Sequence, residues 1–450
     1  MQTWWRRMRS TDGGDAGLGL AELLVAMFIF ALVSSGVAYS LIGILGLTRD
    51  ARARAVAANL AAEEIDLARD SADLFALLDS ERTVALNGDE FEVVRRTQWV
   101  SDPGDEFTCG AGTGTGSLRY KRVNVTVTWG GMSATAEPVR SDTLISPDDH
   151  INDPTKGTIL VSVLRADGTG NQGVTVSASP TVGSVISQTD AQGCTYVLKV
   201  NPGTYTVTAS RANHVSDAQA TAPSQTVVVA AGATASVGFQ LDQAATYSAT
   251  LAPGAPAGTR TPTDLTTTFT STYGSVAVSP SSGQGGTTQA FRLHPFTTGY
   301  QAYAGTCAAA DPRQWPEETV GGVTFAGTLP DAVAAAPGGS VALGVPMGVV
   351  QVSGGSTSGS KTYLRAVSQS STPGCDSTVT YTFGSVIPAS GSITVALPYG
   401  SWQLYQGTSG STGTALGTSR VTVPAPAIPT RTTISTTGVV TFDPRVEVVP

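Results

Sequence analysis

Residues 17–27 read Gly-Leu-Gly-Leu-Ala-Glu-Leu-Leu-Val-Ala-Met, and this stretch decides how the N-terminal part of the chain folds. Gly17 is followed by an apolar run whose only charged residue is Glu22, and no other charged side chain occurs before Arg49. About 20 apolar residues are enough for a helix to span the hydrocarbon core of a bilayer. A carboxylate inside such a segment is energetically costly, so Glu22 is a candidate functional residue.

The stretch resembles the class III leader and N-terminal methylation helix of type IV pilins and type II secretion pseudopilins. In that family a glycine precedes the cleavage site and a glutamate occupies the fifth mature position, and Gly17 and Glu22 match both. Two positions depart from the family pattern, because Leu18 replaces the usual phenylalanine and Gly19 the usual threonine. The resemblance implies that a prepilin peptidase removes residues 1–17 and methylates the amine of Leu18. It also implies that Glu22 pairs with the N-terminus of a neighbouring pilin or pseudopilin.

An ordinary signal anchor is the alternative interpretation of this segment, with Glu22 merely near the cytoplasmic interface. A secretory signal peptide fits less well, since its apolar core is about 7–15 residues long and ends at a cleavage site. Three arginines within residues 6–9 predict a cytoplasmic N-terminus, although three more within residues 49–54 weaken that bias. We therefore expect a single-pass protein of the cytoplasmic membrane, with its N-terminus inside and most of the chain outside.

Helical periodicity continues beyond the membrane segment, which we assign to residues 18–48. Neither proline nor glycine interrupts the chain between Leu47 and Ser80. The pattern predicts one helix from Leu18 to about Leu78, with its second half amphipathic and packed on a head domain. The apolar stripe of this second half consists of Val56, Leu60, Leu67, Leu74 and Leu78.

The remainder of residues 49–147 predicts a small sheet. Apolar and polar residues alternate over residues 91–95 and 122–129, which is typical of half-buried strands. Asn87-Gly88 is a turn signal. A long helix followed by a small antiparallel sheet is the head that the pilin resemblance implies.

A polar stretch at residues 148–155 is predicted to be a linker, and residues 156–244 to be an all-β module. Short alternating segments separated by Gly and Pro turns indicate a β-sandwich. Residues 189–196, which contain an Asp–Gly turn, and the Pro-Gly-Thr-Tyr segment at 202–205 resemble carboxypeptidase regulatory-like (prealbumin-like or Cna-B-like) domains. That resemblance implies a non-catalytic spacer or scaffold.

The rest of the chain repeats this theme. Segments that begin at Pro295 and Pro398 echo the strand of residues 202–207. We expect two further β-sandwich modules, at residues 245–337 and 338–450. The predicted fold is therefore multidomain, α+β and then all-β: a transmembrane helix with a small pilin-like sheet, followed by tandem β-sandwich modules.

Composition and cysteine content exclude some classes of function and favour others. The net charge of −8 argues against binding of nucleic acid, which requires a basic surface. All four cysteines follow the membrane segment, and in an oxidising exported location they predict two disulfides, with free buried thiols as the alternative. Of three pairings, the simplest joins the last two in sequence, Cys307 with Cys375, and leaves Cys109 with Cys194.

Catalytic and metal-binding patterns are weak. The three histidines are isolated in sequence, and no nucleophile elbow, P-loop or zinc-binding histidine pair is present. His150 lies in an acidic segment, where a solvated linker is the simpler interpretation than a metal site. Acidic pairs such as Glu63–Glu64 fit a solvated surface. We expect no enzyme activity, no metal and no cofactor.

The sequence therefore predicts a structural subunit: a minor pilin or pseudopilin of a type IV pilus or type II secretion-like filament, which displays its β modules as an adhesin or a spacer. A single-pass surface adhesin that never enters a filament is the alternative. The modules have a surface ligand in the adhesin case. Three aromatic residues are candidates for a glycan platform, although Trp402 has the spacing of a core residue: Tyr399, Trp402 and Tyr405.

Overall fold

The computed structural model describes most of the chain after residue 19. The described residues divide into two compact units, separated at Val100/Ser101, Leu118/Arg119 and Asp148/Asp149. The residues described are 20–71, 73–101, 106–107, 118–132, 136–146, 153–182, 186, 188–354, 361–410 and 413–448.

The first unit begins with helix α1 (Leu20–Arg69), which is continuous over 50 residues. The predicted end near Leu78 is wrong, because the chain turns after Arg69. Asp73 Oδ1 accepts a hydrogen bond from the backbone N–H of Phe75 at 2.8 Å, and Ser71 Oγ donates to the carbonyl of Asp73 at 3.1 Å. Such local side-chain contacts offer the backbone an alternative to helical hydrogen bonds.

The buried face of α1 differs from the predicted leucine stripe. Leu67 is 56% exposed, whereas Leu60 is buried. Small residues dominate the buried face, so the helix backbone approaches the sheet closely. The buried residues of α1 are Ala53, Ala57, Leu60, Ala61, Glu64, Ile65 and Ala68.

The sheet of the first unit has the strand order β1-β2-β4-β5. Strands β1 and β2 form an antiparallel hairpin in which Leu86 faces Asp89, and β4 and β5 also pair in antiparallel fashion. Trp99 and Trp129 are buried in this unit. The strands are β1 (Ser80–Leu86), β2 (Asp89–Ser101), β4 (Leu118–Trp129) and β5 (Val139–Ile145). The two-residue strand β3 (Glu106–Phe107) follows β2 in sequence and falls among the residues of the second unit.

From Gly157 onward, the second unit continues with seven strands in two sheets, of order β10-β12-β6-β8 and β11-β9-β7. Residues of both sheets, such as Val161 and Val207, form one buried core. The parallel pairing of β6 with β12 joins the two ends of this segment. The strands are β6 (Gly157–Leu164), β7 (Thr175–Ser179), β8 (Cys194–Val200), β9 (Gly203–Ser210), β10 (His214–Ser216), β11 (Ser224–Val229) and β12 (Thr234–Gln243).

The Asp–Gly motif before β8 forms a tight turn. Gly193 has φ +79° and donates its N–H to the carbonyl of Asp190 at 3.0 Å. The Asp190 carboxylate accepts the N–H groups of Gln192 and Cys194, each at 2.9 Å. A Cβ at Gly193 would lie 2.1 Å from the carbonyl oxygen of Val163, so this close approach requires glycine.

Eighteen further strands follow, in sheets of order β16-β13-β20, β15-β14-β17, β18-β19-β30, β24-β21-β27 and β23-β22-β25-β29-β28, with β26 on β25. Two short 3₁₀ helices lie at Ala308–Ala310 and Pro312–Gln314. The strands are β13 (Ala245–Leu251), β14 (Thr267–Ser271), β15 (Gly274–Val278), β16 (Thr288–Leu293), β17 (Gln301–Ala304), β18 (Glu318–Val320), β19 (Val323–Ala326), β20 (Ser340–Val345), β21 (Gly348–Ser353), β22 (Tyr363–Ser368), β23 (Thr380–Ser385), β24 (Ser392–Leu397), β25 (Gly400–Gly407), β26 (Thr414–Ala415), β27 (Val421–Thr422), β28 (Arg431–Ile434), β29 (Val439–Asp443) and β30 (Val446–Glu447).

The structure differs from the predicted boundary between residues 337 and 338. Strand β20 lies beyond that boundary, yet it pairs in parallel with β13, and β30 pairs with β19. One buried core accordingly runs from Ala245 to Phe442. Two segments that exchange strands across the expected boundary do not bury separate cores.

Candidate membrane and assembly segment

The first half of α1 is an exposed apolar surface. The 25 residues from Leu23 to Leu47 include no charged side chain, and all of them are exposed. Within the part of the chain that is described, one helix is long and apolar enough to cross a membrane, with a mean hydropathy of 2.1. An apolar helix surface of this size without a partner favours burial in lipid or against other helices.

Length and hydrogen bonding suit a membrane environment. At 1.5 Å per residue these 25 residues measure about 37 Å, which exceeds a hydrocarbon core of about 30 Å and fits with a tilt. The hydroxyl of Ser35 donates to the carbonyl of Ala31 at 2.7 Å, and that of Thr48 to Ile44 at 2.8 Å. These hydroxyl groups therefore carry their hydrogen bonds within the helix.

Small residues form part of this surface. Gly36, Ser40 and Gly43 recur at intervals of four and three residues and so share one helix face. A Cβ added at Gly36 or Gly43 would meet nothing within 4 Å. Small residues let helix backbones approach closely in membranes, so this face suits contact with another helix.

The predicted cleavage site, between Gly17 and Leu18, lies just before Leu20, the first described residue. Gly17 and Leu18 lie outside the described residues. Glu22 lies in the first turn of α1, but its side chain also lies outside the description. The structure therefore gives Glu22 a helical backbone and a position just before the uncharged run.

Charged residues mark the point at which α1 leaves the apolar run. Arg49 forms an ion pair with Asp89 at the start of β2. The hydrogen bond that Arg49 donates to Asp89 raises the pKa of Arg49, and the charge of the carboxylate adds to the effect. Arg52 and Arg54 are exposed on the next turn. The charge pattern of the sequence shows these arginines but not the hairpin carboxylate that neutralises one of them.

The turn beside this exit is the predicted Asn87-Gly88 turn. Both residues have positive φ angles, +55° and +86°, which is the type I′ geometry of two-residue hairpins. The turn joins β1 to β2, and with Leu86 it lines a groove against Leu45 and Arg52 of α1. The hairpin therefore lies at the level where the apolar run ends.

The second half of α1 is attached to the sheet through Glu64. This carboxylate, whose side chain is only 4% exposed, accepts hydrogen bonds from Arg82 of β1 at 3.1 Å and Arg95 of β2 at 2.6 Å. The expectation that the Glu63–Glu64 pair fits a solvated surface is wrong for Glu64. Its position on the face of Ala57, Ala61 and Ala68 was the sequence signal that could have revealed its burial.

The three described cysteines lie in the second unit, away from α1 in sequence: Cys194, Cys307 and Cys375. Cys307 and Cys375 form a disulfide with a Cα–Cα distance of 4.8 Å. It closes a loop with a sequence separation of 68, between the 3₁₀ helices and β23. Cys194 is also disulfide-bonded, and Cys109, its predicted partner, lies outside the described residues.

The histidines in the described part of the chain are separated. His294 is fully buried, and its Nδ1 lies 3.0 Å from the carbonyl oxygen of Val215. Burial lowers the pKa of His214, whose Nδ1 lies 2.8 Å from the carbonyl oxygen of Ala212. No group of three metal-ligating side chains occurs among the residues described. His150 lies outside the described residues.

The aromatic residues considered as a glycan platform are mostly core residues. Trp402 and Tyr399 are 2% and 8% exposed, and only Tyr405 is half-buried. Burial in an apolar environment raises the pKa of Tyr399. These side chains therefore stabilise the second unit and do not present a stacking surface.

Comparisons with known proteins give little similarity. No protein-family model matches the chain, and no curated protein matches it. Several solved structures align along much of it, but with TM-scores near 0.2 and few identical residues, so they carry no argument about its fold or function.

Three of these structures illustrate the low similarity. The Bacillus anthracis TIE protein is 11% identical, over 76% of this chain and 70% of its own, with a TM-score of 0.19. BcpA, the major pilin subunit of Bacillus cereus, is 11% identical, over 65% of this chain and 94% of its own, at 0.20. The Streptococcal ancillary pilin is 9% identical, over 58% of this chain and 80% of its own, with a TM-score of 0.19.

Proposed function

We propose that the chain is a minor pilin-like or pseudopilin-like subunit of a type IV pilus or a type II secretion-like filament. The observation that carries the proposal is the Gly17–Glu22 spacing at the start of one continuous helix. The first half of that helix is apolar and exposed, and its second half is packed on an antiparallel sheet. A helix of this kind can enter a bundle of equivalent helices without disturbing the head domain.

Processing would begin on the cytoplasmic side of the membrane. A prepilin peptidase would cut between Gly17 and Leu18 and then methylate the new Leu18 amine. Cleavage removes the leader with its three arginines within residues 6–9 and leaves a single positive group, the mature N-terminus, close to Glu22. The mature chain then begins two residues before α1.

Glu22 would set the position of the subunit in the filament. A carboxylate within an apolar bundle costs several kcal/mol if it has no partner. The positive N-terminus of a neighbouring subunit supplies such a partner in one helix register only. Glu22 therefore selects that register, while the exposed Gly36 and Gly43 allow close packing of the helices.

The β modules would lie outside the cell and make this a minor subunit and not a major one. We assign residues 156–244 to a carboxypeptidase regulatory-like β-sandwich that acts as a spacer or scaffold; the common core of its two sheets supports this. Roughly 300 residues beyond the head would crowd a filament in which every subunit carried them. Sparse incorporation, or a place at the tip, leaves room for an adhesive role.

The test is the intact mass and N-terminal sequence of the membrane-associated protein from cells with and without the prepilin peptidase. We expect a start at Leu18 that depends on the peptidase. An uncut Met1 in both strains would refute the proposal and favour a simple membrane-anchored adhesin.

The role of Glu22 is tested separately. We expect Glu22→Ala and Glu22→Gln to be inserted and cut normally but to be lost from sheared filaments by at least tenfold, because neither variant carries the charge. Leu23→Ala is the matched control and should be incorporated. Normal incorporation of both Glu22 variants would disprove the pairing.

A further inference from the structure

A groove lies where α1 leaves the apolar run. It has a volume of about 610 Å³, and its walls come from residues 45–56 of α1 and from the β1–β2 hairpin. The apolar part of the lining includes Leu45, Val56 and Leu86, and the charged part includes Arg49, Arg52 and Asp89. The groove is therefore amphipathic.

The height of the groove matches the headgroup layer of a bilayer. Leu47 is the last residue of the apolar run, and Arg52 follows it by five residues, or about 7.5 Å along the helix. The headgroup layer on each side of the hydrocarbon core is about 5–7 Å thick. With the apolar run in the hydrocarbon core, the guanidinium group of Arg52 lies at the level of the lipid phosphates.

The charge of the groove favours an anion. Arg49 is paired with Asp89, whose side chain is 14% exposed, so these two charges cancel. Arg52 has no ion pair or hydrogen bond with any other described residue and is exposed. The groove thus carries one uncompensated positive charge on a chain with a net charge of −8.

Apolar lining residues lie on both sides of Arg52 along α1, and Leu45 is the one on the membrane side. Leu45 belongs to the uncharged run and is exposed, and Leu86 next to the hairpin turn is 40% exposed. A phospholipid has this same order of groups, with a charged phosphate above an apolar chain. Burial of apolar area and attraction of the phosphate then act on the same ligand.

We infer that this groove binds one anionic phospholipid from the leaflet at which α1 leaves the membrane. Its phosphate contacts Arg52, and the upper part of an acyl chain packs against Leu45 and Leu86. The inference rests on the proposed function only in that α1 spans a membrane. The bound lipid holds the head domain against the membrane surface.

The experiment uses the full-length protein in nanodiscs of phosphatidylcholine with or without phosphatidylglycerol, and native mass spectrometry of the lipids retained after release. Arg52→Gln is the test variant, and Arg54→Gln is its matched control, since Arg54 is exposed on the same turn but does not line the groove. Arg49 is left intact because of its contact with Asp89.

We expect wild type and Arg54→Gln to retain one phosphatidylglycerol, and Arg52→Gln to retain about fivefold less, as for the loss of one basic residue at an anionic surface. If both variants retain as much phosphatidylglycerol as wild type, Arg52 does not bind the lipid and the proposed site is wrong. If both variants lose it equally, diffuse surface charge accounts for the binding, and the proposed site is again wrong. Competition by soluble glycerol phosphate would show a free-phosphate site and overturn the lipid assignment.

The outcomes separate this inference from the proposed function. A chain that starts at Met1 in every strain but loses lipid on Arg52→Gln would refute the pilin proposal and support the groove. A protein that is cut before Leu18, and whose lipid retention is unchanged in Arg52→Gln, would support the pilin proposal and refute the groove. Release of the wild-type protein from nanodiscs by alkaline carbonate would overturn both.

Discussion

At the scale of single residues, Glu64 fixes α1 to the sheet. It contacts Arg82 and Arg95 on neighbouring strands, and Arg95 also donates to the carbonyl of Leu78 at 3.0 Å. One buried carboxylate therefore links the helix, the turn after it and two strands. In the preceding residue, Glu63, the carboxylate oxygen Oε1 lies 3.8 Å from Nη2 of Arg82, and the side chain is 58% exposed.

Replacement of Glu64 should loosen the first unit. Glu64→Gln keeps the volume but leaves two arginines without their carboxylate, and we expect a loss of about 3 kcal/mol in unfolding free energy. Glu63→Gln, the matched control, should change it by less than about 1 kcal/mol, because its ion pair is exposed. Urea unfolding together with hydrogen exchange of β1 and β2 measures the effect. Similar losses in both variants would contradict the assigned role.

At the scale of elements, two strands of the second unit start in the same way. Tyr205 in β9 donates its hydroxyl to the carbonyl of Asn201 at 3.0 Å, and Trp402 in β25 donates its indole N–H to that of Pro398 at 2.8 Å. Each aromatic side chain reaches back four residues and fixes the turn before its strand. The third segment of the echo differs, because the hydroxyl of Tyr300 donates to the carbonyl of His294, six residues back.

The contact between β21 and β29 depends on a glycine. A Cβ at Gly348 would lie 2.0 Å from Cγ of Phe442, which is fully buried. We expect Gly348→Ala to lower the unfolding free energy of the second unit by about 3 kcal/mol through overpacking. Gly417→Ala is the control, since its Cβ would meet nothing within 4 Å. Thermal unfolding compares the two, and equal midpoints would refute the close contact.

At the scale of the whole molecule, the second unit contains two core clusters of different extent. One belongs to β6–β12, and the other combines residues from Ala245 to Phe442. The second cluster joins segments that the sequence pattern assigns to separate modules. Shared burial makes these segments depend on each other for stability.

A cavity in the larger core should therefore lower the stability of strands on both sides of the predicted boundary at residues 337/338. Leu404 in β25 is fully buried, and Leu404→Ala should cost about 2–5 kcal/mol. We expect faster hydrogen exchange in β13 and β16 as well as in β25, with β6 and β9 unchanged. Val161→Ala, in the smaller core, should instead speed hydrogen exchange in β6 and β9 and leave β13, β16 and β25 unchanged. Unchanged exchange in β13 in the Leu404 variant would instead indicate two independent modules.

Local patterns predicted much of the architecture because they act over a few residues. The uncharged run from Leu23 to Leu47 allows little other than an exposed apolar helix. The Asn87-Gly88 turn follows from the ease with which these residues adopt positive φ. The alternation over residues 122–129 lies within β4, where Val123, Val125 and Val127 are buried.

Features that depend on distant partners could not be predicted in this way. The packing of alanines against the sheet decides which face of α1 is buried. Hydrophobicity and backbone preference are local properties, so the apolar helix and the alternating strands follow from the amino-acid sequence. The pairing of Glu64, the groove beside Arg52 and the parallel contact of β13 with β20 depend on the folded chain, because each requires residues far apart in sequence to meet.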